Sequence, residues 1–133
     1  MRVTSLVTGG AGFIGSHLVD LLLKKKHKVI VVDDFSGGRL ENLIEAKKNK
    51  NLIIIKQDIL KKKLTISGRV DYIFHLAGKG DIVPSIVNPS LYFDTNVKGT
   101  LNILEFARQK KIKKFVYAAS SSCYGIPAIY PTP

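Results

Sequence analysis

The residues with the clearest chemical meaning are three glycines spaced three apart, Gly9, Gly12 and Gly15, in the segment Thr8-Gly9-Gly10-Ala11-Gly12-Phe13-Ile14-Gly15. Glycines in this arrangement serve anion capture. One lets the chain leave a strand in a tight turn, another lets backbone N–H groups approach a diphosphate with no Cβ in the way, and the third lets the next helix pack close on a sheet. The N-terminus of that helix adds oriented N–H donors and partial positive charge. About twenty residues further on come Asp33 and Asp34, the distance at which a carboxylate accepts both hydroxyls of an adenosine ribose and repels a 2′-phosphate. The pair favours NAD over NADP. Arg39 nearby is a cation that would suit a phosphate instead, and a capping role for Asp33 in the loop before the next helix is the plainer alternative. A nucleoside-triphosphate loop is a poorer match, since it needs Gly-Lys-Ser/Thr at the helix start and this chain has Gly15-Ser16-His17.

The elements that must position these groups alternate between short apolar runs and longer stretches of helical period. Strands are expected at 2–8 (RVTSLVT), 28–33 (KVIVVD), 52–56 (LIIIK), 70–76 (VDYIFHL) and 115–119 (FVYAA). Helices are expected at 13–25, with Phe13, Ile14, Leu18, Leu21 and Leu22 on one face, at 39–48, and at 89–111 with Leu91, Thr95, Leu101, Leu104 and Ala107 at supportive spacings. Near-continuous apolar strands separated by helices mean a parallel sheet covered on both faces. Right-handed crossovers then favour a Rossmann-like, doubly wound α/β fold of strand order 3-2-1-4-5. The tail from Ile126 to Pro133, with three prolines, is expected to be irregular.

At 133 residues and 45% apolar content, one dinucleotide-binding domain with its own core spans the chain. No apolar run approaches a membrane span, and Met1-Arg2-Val3-Thr4 leads into a strand without a signal-peptide pattern. A cytoplasmic location is expected, and the lone Cys123 offers no internal disulfide. The net charge of +11 comes mostly from lysine, and the clusters Lys24-Lys25-Lys26, Lys47-Lys48 and Arg108-Gln109-Lys110-Lys111 fall where helices are expected to end and cations complement the macrodipole. No aromatic or amide readers interleave these runs, so neither nucleic acid nor membrane is an expected partner. His17, His27 and His75 have no ligand spacing to Cys123, and no metal site is expected. His75 reads as a strand-end residue bonded to backbone.

With the glycine loop and Asp33 placed, the chain resembles the extended short-chain dehydrogenase/reductase family, most closely its UDP-sugar 4-epimerases. The resemblance is carried by TGGAGFIG at 8–15, VVDDFSGGRLENL at 31–43, Asp58-Ile59, His75-Leu76-Ala77-Gly78, Asn96-Val97-Lys98-Gly99-Thr100 and FVYAASSSCYG at 115–125. Asp34 departs from the family's more usual asparagine. The resemblance implies NAD as cofactor, with contacts from Gly9, Gly12, Phe13, Ile14, Gly15, Asp33, Asp34, Ser36, Asp58, Ile59, Leu76, Ala77, Asn96 and Ala118. It implies a UDP-sugar substrate met by Ser85 and by Ser120, the hydroxyl that bonds the reacting sugar oxygen. A one-residue slip to Ser121 stays open, as does a role for these serines in capping the strand end. Cys123, at an apolar position of its motif, is expected to be a buried small hydrophobe.

The implied reaction is transient oxidation of the sugar at C4, rotation of the keto sugar and return of the hydride to the opposite face. Family members that dehydrate carry Asp-Glu after the catalytic hydroxyl; Ser121-Ser122 stand there in this chain, which favours epimerisation. The family's Tyr-x-x-x-Lys base does not occur among the 133 residues, and neither Tyr124 nor Tyr130 has a lysine four positions on. The chain therefore reads as a C-terminally truncated fold, without the substrate lobe, inactive as it stands and with apolar surface uncovered on the fifth strand and long helix. A homodimer through the helix at 89–111 is implied for the family. A stand-alone module that senses NAD without catalysis is the alternative.

Overall fold

The computed structural model describes residues 2–61, 64–126, 128 and 129. Five parallel strands form one sheet: β1 (Thr4–Thr8), β2 (Lys28–Asp33), β3 (Leu52–Lys56), β4 (Tyr72–His75) and β5 (Lys114–Tyr117). Their order is β3-β2-β1-β4-β5, as the sequence predicts. β2 and β3 have the expected bounds, and β5 starts one residue earlier and ends two earlier. β1 and β4 are shorter than their apolar runs because ladder bonding starts only where a neighbour is in register, as for Thr4 with Lys28 and Ser5 with Tyr72.

Side chains alternate across the central strands and feed two cores. Leu6, Ile30, Val32 and Ile73 face one side, where Ile103, Phe106 and Ala107 cover them. Val7, Val29 and Val31 face the other, beneath Val19, Leu22 and Leu23 of helix α1 (Phe13–Lys24). None of the described helices is long and apolar enough to cross a membrane.

The helices depart from the sequence reading in instructive ways. α1 buries Gly15, Ser16, Val19, Leu22 and Leu23, while Phe13 is 79% and Ile14 68% exposed and Leu21 is also exposed. The buried set has proper helical spacing but is turned away from the most apolar stripe, since close approach to the sheet selects small residues near the helix start. The helix expected at 39–48 is two 3₁₀ turns, Leu40–Leu43 and Ala46–Lys48. Only Leu43 and Ala46 are buried there, and two buried side chains do not hold three turns of helix on a sheet.

Between β4 and the segment at 89–111 lies a short helix, α2 (Ile82–Val87), with Pro84 in the first turn where its missing N–H costs nothing. The expected helix at 89–111 is α3 (Pro89–Phe93), a π-helical stretch Asp94–Gly99 and α4 (Thr100–Lys110). Leu91, Leu101 and Leu104 point outward, and the inner face is Ile103, Phe106 and Ala107. The apolar surface expected on this flank is present: Val97, Leu101, Val116 and Tyr117 are all exposed. The lysine clusters lie as expected, with Lys24, Lys47, Lys48, Arg108 and Lys110 in last turns.

At the amino end of the sheet Asp71 is buried. Its carboxylate accepts from the N–H of Thr4 at 3.0 Å and pairs with Arg69 and Lys113. The Thr4 amide, with Arg69 and Lys113 in support, holds its pKa below the usual carboxylate value.

At the carboxyl end His75 is fully buried, its ring stacked on Tyr117 with centroids 5.5 Å apart. Burial pushes its pKa down to about 4 from an ordinary 6.5. Between those values the unfolded chain takes up a proton that the folded chain refuses, so stability is full above the unfolded value and is lost as pH falls toward the folded one. Denaturant unfolding compared at about pH 7.5 and about pH 5 is expected to show a loss of about 2 kcal/mol. An imidazole of His75 that titrates at its ordinary value in the folded chain would contradict this.

Candidate functional site

All strands run the same way, so the loops after β1, β2, β3 and β4 open on one edge of the sheet, the place where open α/β sheets bind ligands. A cleft of about 320 Å³ lies there. Its wall brings together Gly9, Gly12, Asp33, Asp34 and Ser36 with Asp58, Ile59, Leu76 and Ala77, nine positions the resemblance singles out.

The glycine loop is built by two close approaches. Gly9 takes φ +69°, and a Cβ on it would stand 2.7 Å from the N of Ala77. A Cβ on Gly15 would stand 2.2 Å from the Gly9 carbonyl oxygen, so no other residue lets α1 begin this close to β1. No side chain caps α1, and its first turn holds no carboxylate. The helix thus offers the N–H groups of its first turn, from Phe13, Ile14 and Gly15, together with its positive end to an anion.

Asp33 anchors this loop from the neighbouring strand. Its Oδ2 accepts from the N–H of Ala11 at 2.9 Å and its Oδ1 from the N–H of Phe35 at 2.8 Å. Phe35 sits at φ +63°, a left-handed conformation costly for a bulky residue and held here by that carboxylate. The capping role read as the alternative for Asp33 is real, and it leaves the carboxylate in the cleft wall with acceptor capacity to spare. The Ala11 carbonyl in turn accepts from the Arg39 N–H at 3.0 Å and from Asn42 Nδ2 at 2.8 Å, so the Ala11 peptide is pinned on both sides. Asp34 accepts from the Ser36 N–H at 2.8 Å. Asp58 and Ile59 are placed by Asn102, whose Nδ2 donates to the carbonyls of Ile59 and Leu60.

Other expected residues lie outside the cleft wall. The side chain of Asn96 holds the Lys79 peptide in both directions, accepting its N–H at 2.8 Å and donating to its carbonyl at 2.9 Å. Ser85 donates to the Ile82 carbonyl at 2.6 Å, one turn back on α2. Ala118 donates its N–H to the His75 carbonyl at 3.1 Å. Ser120 is exposed beyond β5, and its carbonyl accepts the Cys123 thiol at 2.9 Å. The side chain of Ser121, with Tyr130, lies outside the described residues.

Cys123 is exposed, against the expectation of burial, because it sits in the 3₁₀ turn Ser121–Tyr124 past the end of the sheet. The ring nitrogens of His75 bond hydroxyls, with Nδ1 at 2.6 Å from Thr8 Oγ1 and Nε2 at 2.9 Å from Thr100 Oγ1, so its partners are side chains and not the expected backbone. The sequence reading missed Gln57, Lys79 and Thr95 in the wall. Lys79 directly follows His75-Leu76-Ala77-Gly78, and that adjacency was the available signal.

Residues 5–132 match the NAD dependent epimerase/dehydratase family. A UDP-glucose 4-epimerase of Mycolicibacterium smegmatis is 42% identical over 132 residues, a match covering 96% of this chain and 42% of the relative. UDP-glucuronic acid decarboxylase 1 of Arabidopsis thaliana is 41% identical over 130 residues, covering 98% of this chain and 29% of the relative. Among solved structures, the UDP-glucose 4-epimerase of Bifidobacterium longum in complex with NAD+ and UDP aligns with a TM-score of 0.85 at 30% identity, over 97% of this chain and 40% of that one. The chain therefore spans between 29% and 42% of the length of these relatives. With the strand order, the glycine loop and a match running over nearly every residue in agreement, the chain belongs to the NAD dependent epimerase/dehydratase family.

Proposed function

We propose that this chain is the NAD-binding portion of a nucleotide-sugar 4-epimerase. The observation that carries the reading is the cleft itself, in which an uncapped helix start and glycine loop stand on one side and Asp33 on the other. The fit is chemical on both sides: N–H donors without a competing carboxylate suit a diphosphate, and a buried carboxylate with unused acceptor capacity suits a ribose diol. Phe13, Ile14 and Gly15 bind the diphosphate through their N–H groups, Asp33 and Asp34 take the adenosine ribose, and Ser36, Asp58 and Ile59 border the adenine. Leu76 and Ala77 line the way toward the nicotinamide, beside Asn96 and Ala118. Bound NAD supplies an acceptor and then a donor of hydride.

In this reading the substrate is a UDP-sugar, with Ser120 bonding the reacting sugar oxygen and Ser85 and Ser121 bordering the sugar. The Tyr-x-x-x-Lys pattern that would supply the proton acceptor for that oxygen does not occur among the 133 residues. The chain taken by itself is therefore a binding unit in which hydride transfer lacks its base. A cytoplasmic location and a homodimer through the exposed side chains of the 89–111 segment complete the proposal.

Titration calorimetry tests the cofactor. NAD+ is expected to bind saturably and NADP+ at least about tenfold more weakly, a difference of ~1.4 kcal/mol. Asp33→Ala and Gly12→Val should each weaken NAD+ by a similar factor. Lys50→Ala, at an exposed position before β3 on the opposite edge of the sheet, should leave it unchanged. Equal binding of both dinucleotides, or none to the folded chain, would remove the NAD reading.

For the chemistry, the 133-residue chain with NAD+ is expected to show no interconversion of UDP-glucose and UDP-galactose. Joined to a segment bearing Tyr-x-x-x-Lys it should epimerise, and Ser120→Ala should then lower kcat by about a hundredfold or more. Release of CO2 from UDP-glucuronic acid by the joined protein would point to decarboxylation instead. Sedimentation should find a dimer that Leu101→Glu with Leu104→Glu converts to monomer; a parent chain that is already monomeric counts against the dimer.

A further inference from the structure

Ala77, Thr8, His75, Thr100 and Asn96 form a chain of hydrogen bonds that starts in the cleft wall at Ala77 and returns to it through the bonds of Asn96 to Lys79. The Ala77 N–H donates to Thr8 Oγ1 at 3.3 Å, Thr8 Oγ1 meets His75 Nδ1, His75 Nε2 meets Thr100 Oγ1, and the Thr100 hydroxyl donates to the Asn96 carbonyl at 2.7 Å. Asn96 then holds the Lys79 peptide at both its N–H and its carbonyl. Residues 77 and 79 are neighbours but one in sequence, so the chain closes on itself around a single short loop of the wall.

Counting protons sets its direction. The one hydroxyl hydrogen of Thr100 goes to the Asn96 carbonyl, so Thr100 Oγ1 can only accept from the imidazole, and the ring carries its hydrogen on Nε2. Nδ1 is then bare and accepts from Thr8, whose oxygen remains open to the Ala77 N–H. The opposite tautomer breaks the Thr100–Asn96 bond and leaves the Thr8 hydrogen without an acceptor. A doubly protonated ring strands that same Thr8 hydrogen. Thr8 and His75 are both fully buried, so a bond lost here is not made good by water. The groups packed on the ring are Phe115 and Tyr117, and no carboxylate among the described residues pairs with it.

We propose that His75, held neutral with its hydrogen on Nε2, is a positioning residue that fixes the cleft loop at 77–79 by ordering this chain. It touches no ligand itself. Its effect on NAD+ affinity rests on the cofactor reading above, whereas its effect on the loop does not.

Long-range 1H–15N correlation on the folded, labelled chain is expected to show His75 as the neutral Nε2–H tautomer; an Nδ1–H ring overturns the proposal without any variant being made. Thr100→Val removes one hydroxyl at constant shape, and Thr100→Ser puts it back. Amide exchange at Lys79 should quicken by about tenfold or more in the valine variant and return to the parent rate in the serine variant, while Val31 at the centre of β2 keeps its protection. Unchanged exchange at Lys79, or equal loss at Val31, overturns the proposal. NAD+ affinity should fall in the valine variant with AMP affinity unaltered. If the parent chain binds no NAD+, the cofactor reading fails and the tautomer and exchange results still decide the role of His75.

Discussion

The structure depends first on how closely α1 can start against the end of β1. The Gly9 carbonyl occupies the space that a side chain at position 15 would need, and the sheet beneath is closed by small residues of the helix, Gly15, Ser16 and Val19. A helix set back by one side-chain layer would lift its N-terminus off the carboxyl edge of the sheet. It would also open the contact between Val19 and the strand residues Val7, Val29 and Val31. One steric exclusion therefore sets both the packing of a core and the location of a positive helix end.

A second layer of constraint comes from backbone groups held by side chains. The Ala11 peptide is held by Asp33 on one side and by Arg39 and Asn42 on the other, and the Lys79 peptide is held twice by Asn96. These loops cross an edge where regular ladder bonding has ended, so side chains take over the pairing that strands provide elsewhere. The short 3₁₀ turns after β2 fit that role: they are anchored by Leu43 and Ala46 and deliver Asn42 to the loop, a task a longer helix would not improve.

Much of this was legible from the sequence, for a physical reason. The central strands of a parallel sheet are buried on both faces, so KVIVVD is unambiguous. LIIIK at the sheet edge is read from its β-branched run alone, and Gly9 and Gly15 are required by contacts that admit no other residue. Strand order and the meeting of Gly9, Gly12, Asp33, Asp58 and Ala77 followed. The helix faces did not, because the apolar stripe on α1 and on the 89–111 segment is split between the core and the outer surface. Phe13 and Leu101 are as apolar as Leu22 and Ile103 yet lie exposed. Asn96 and His75 were noticed for their motifs, but their partners Lys79, Thr8 and Thr100 belong to three separate elements, and local periodicity carries no information on such meetings.

The π-helical stretch Asp94–Gly99 carries helical backbone without a break from α3 into α4 and acts as a phase shift between them. An α-helix turns its side chains by about 100° per residue, and a π turn absorbs one extra residue without breaking the cylinder. Removal of a single residue here would restore an uninterrupted α-helix and rotate everything before it, α2 and α3 included, by roughly that angle about the axis of α4. The hydroxyl of Thr100 would stay where it is while the amide of Asn96 swung away from the cleft.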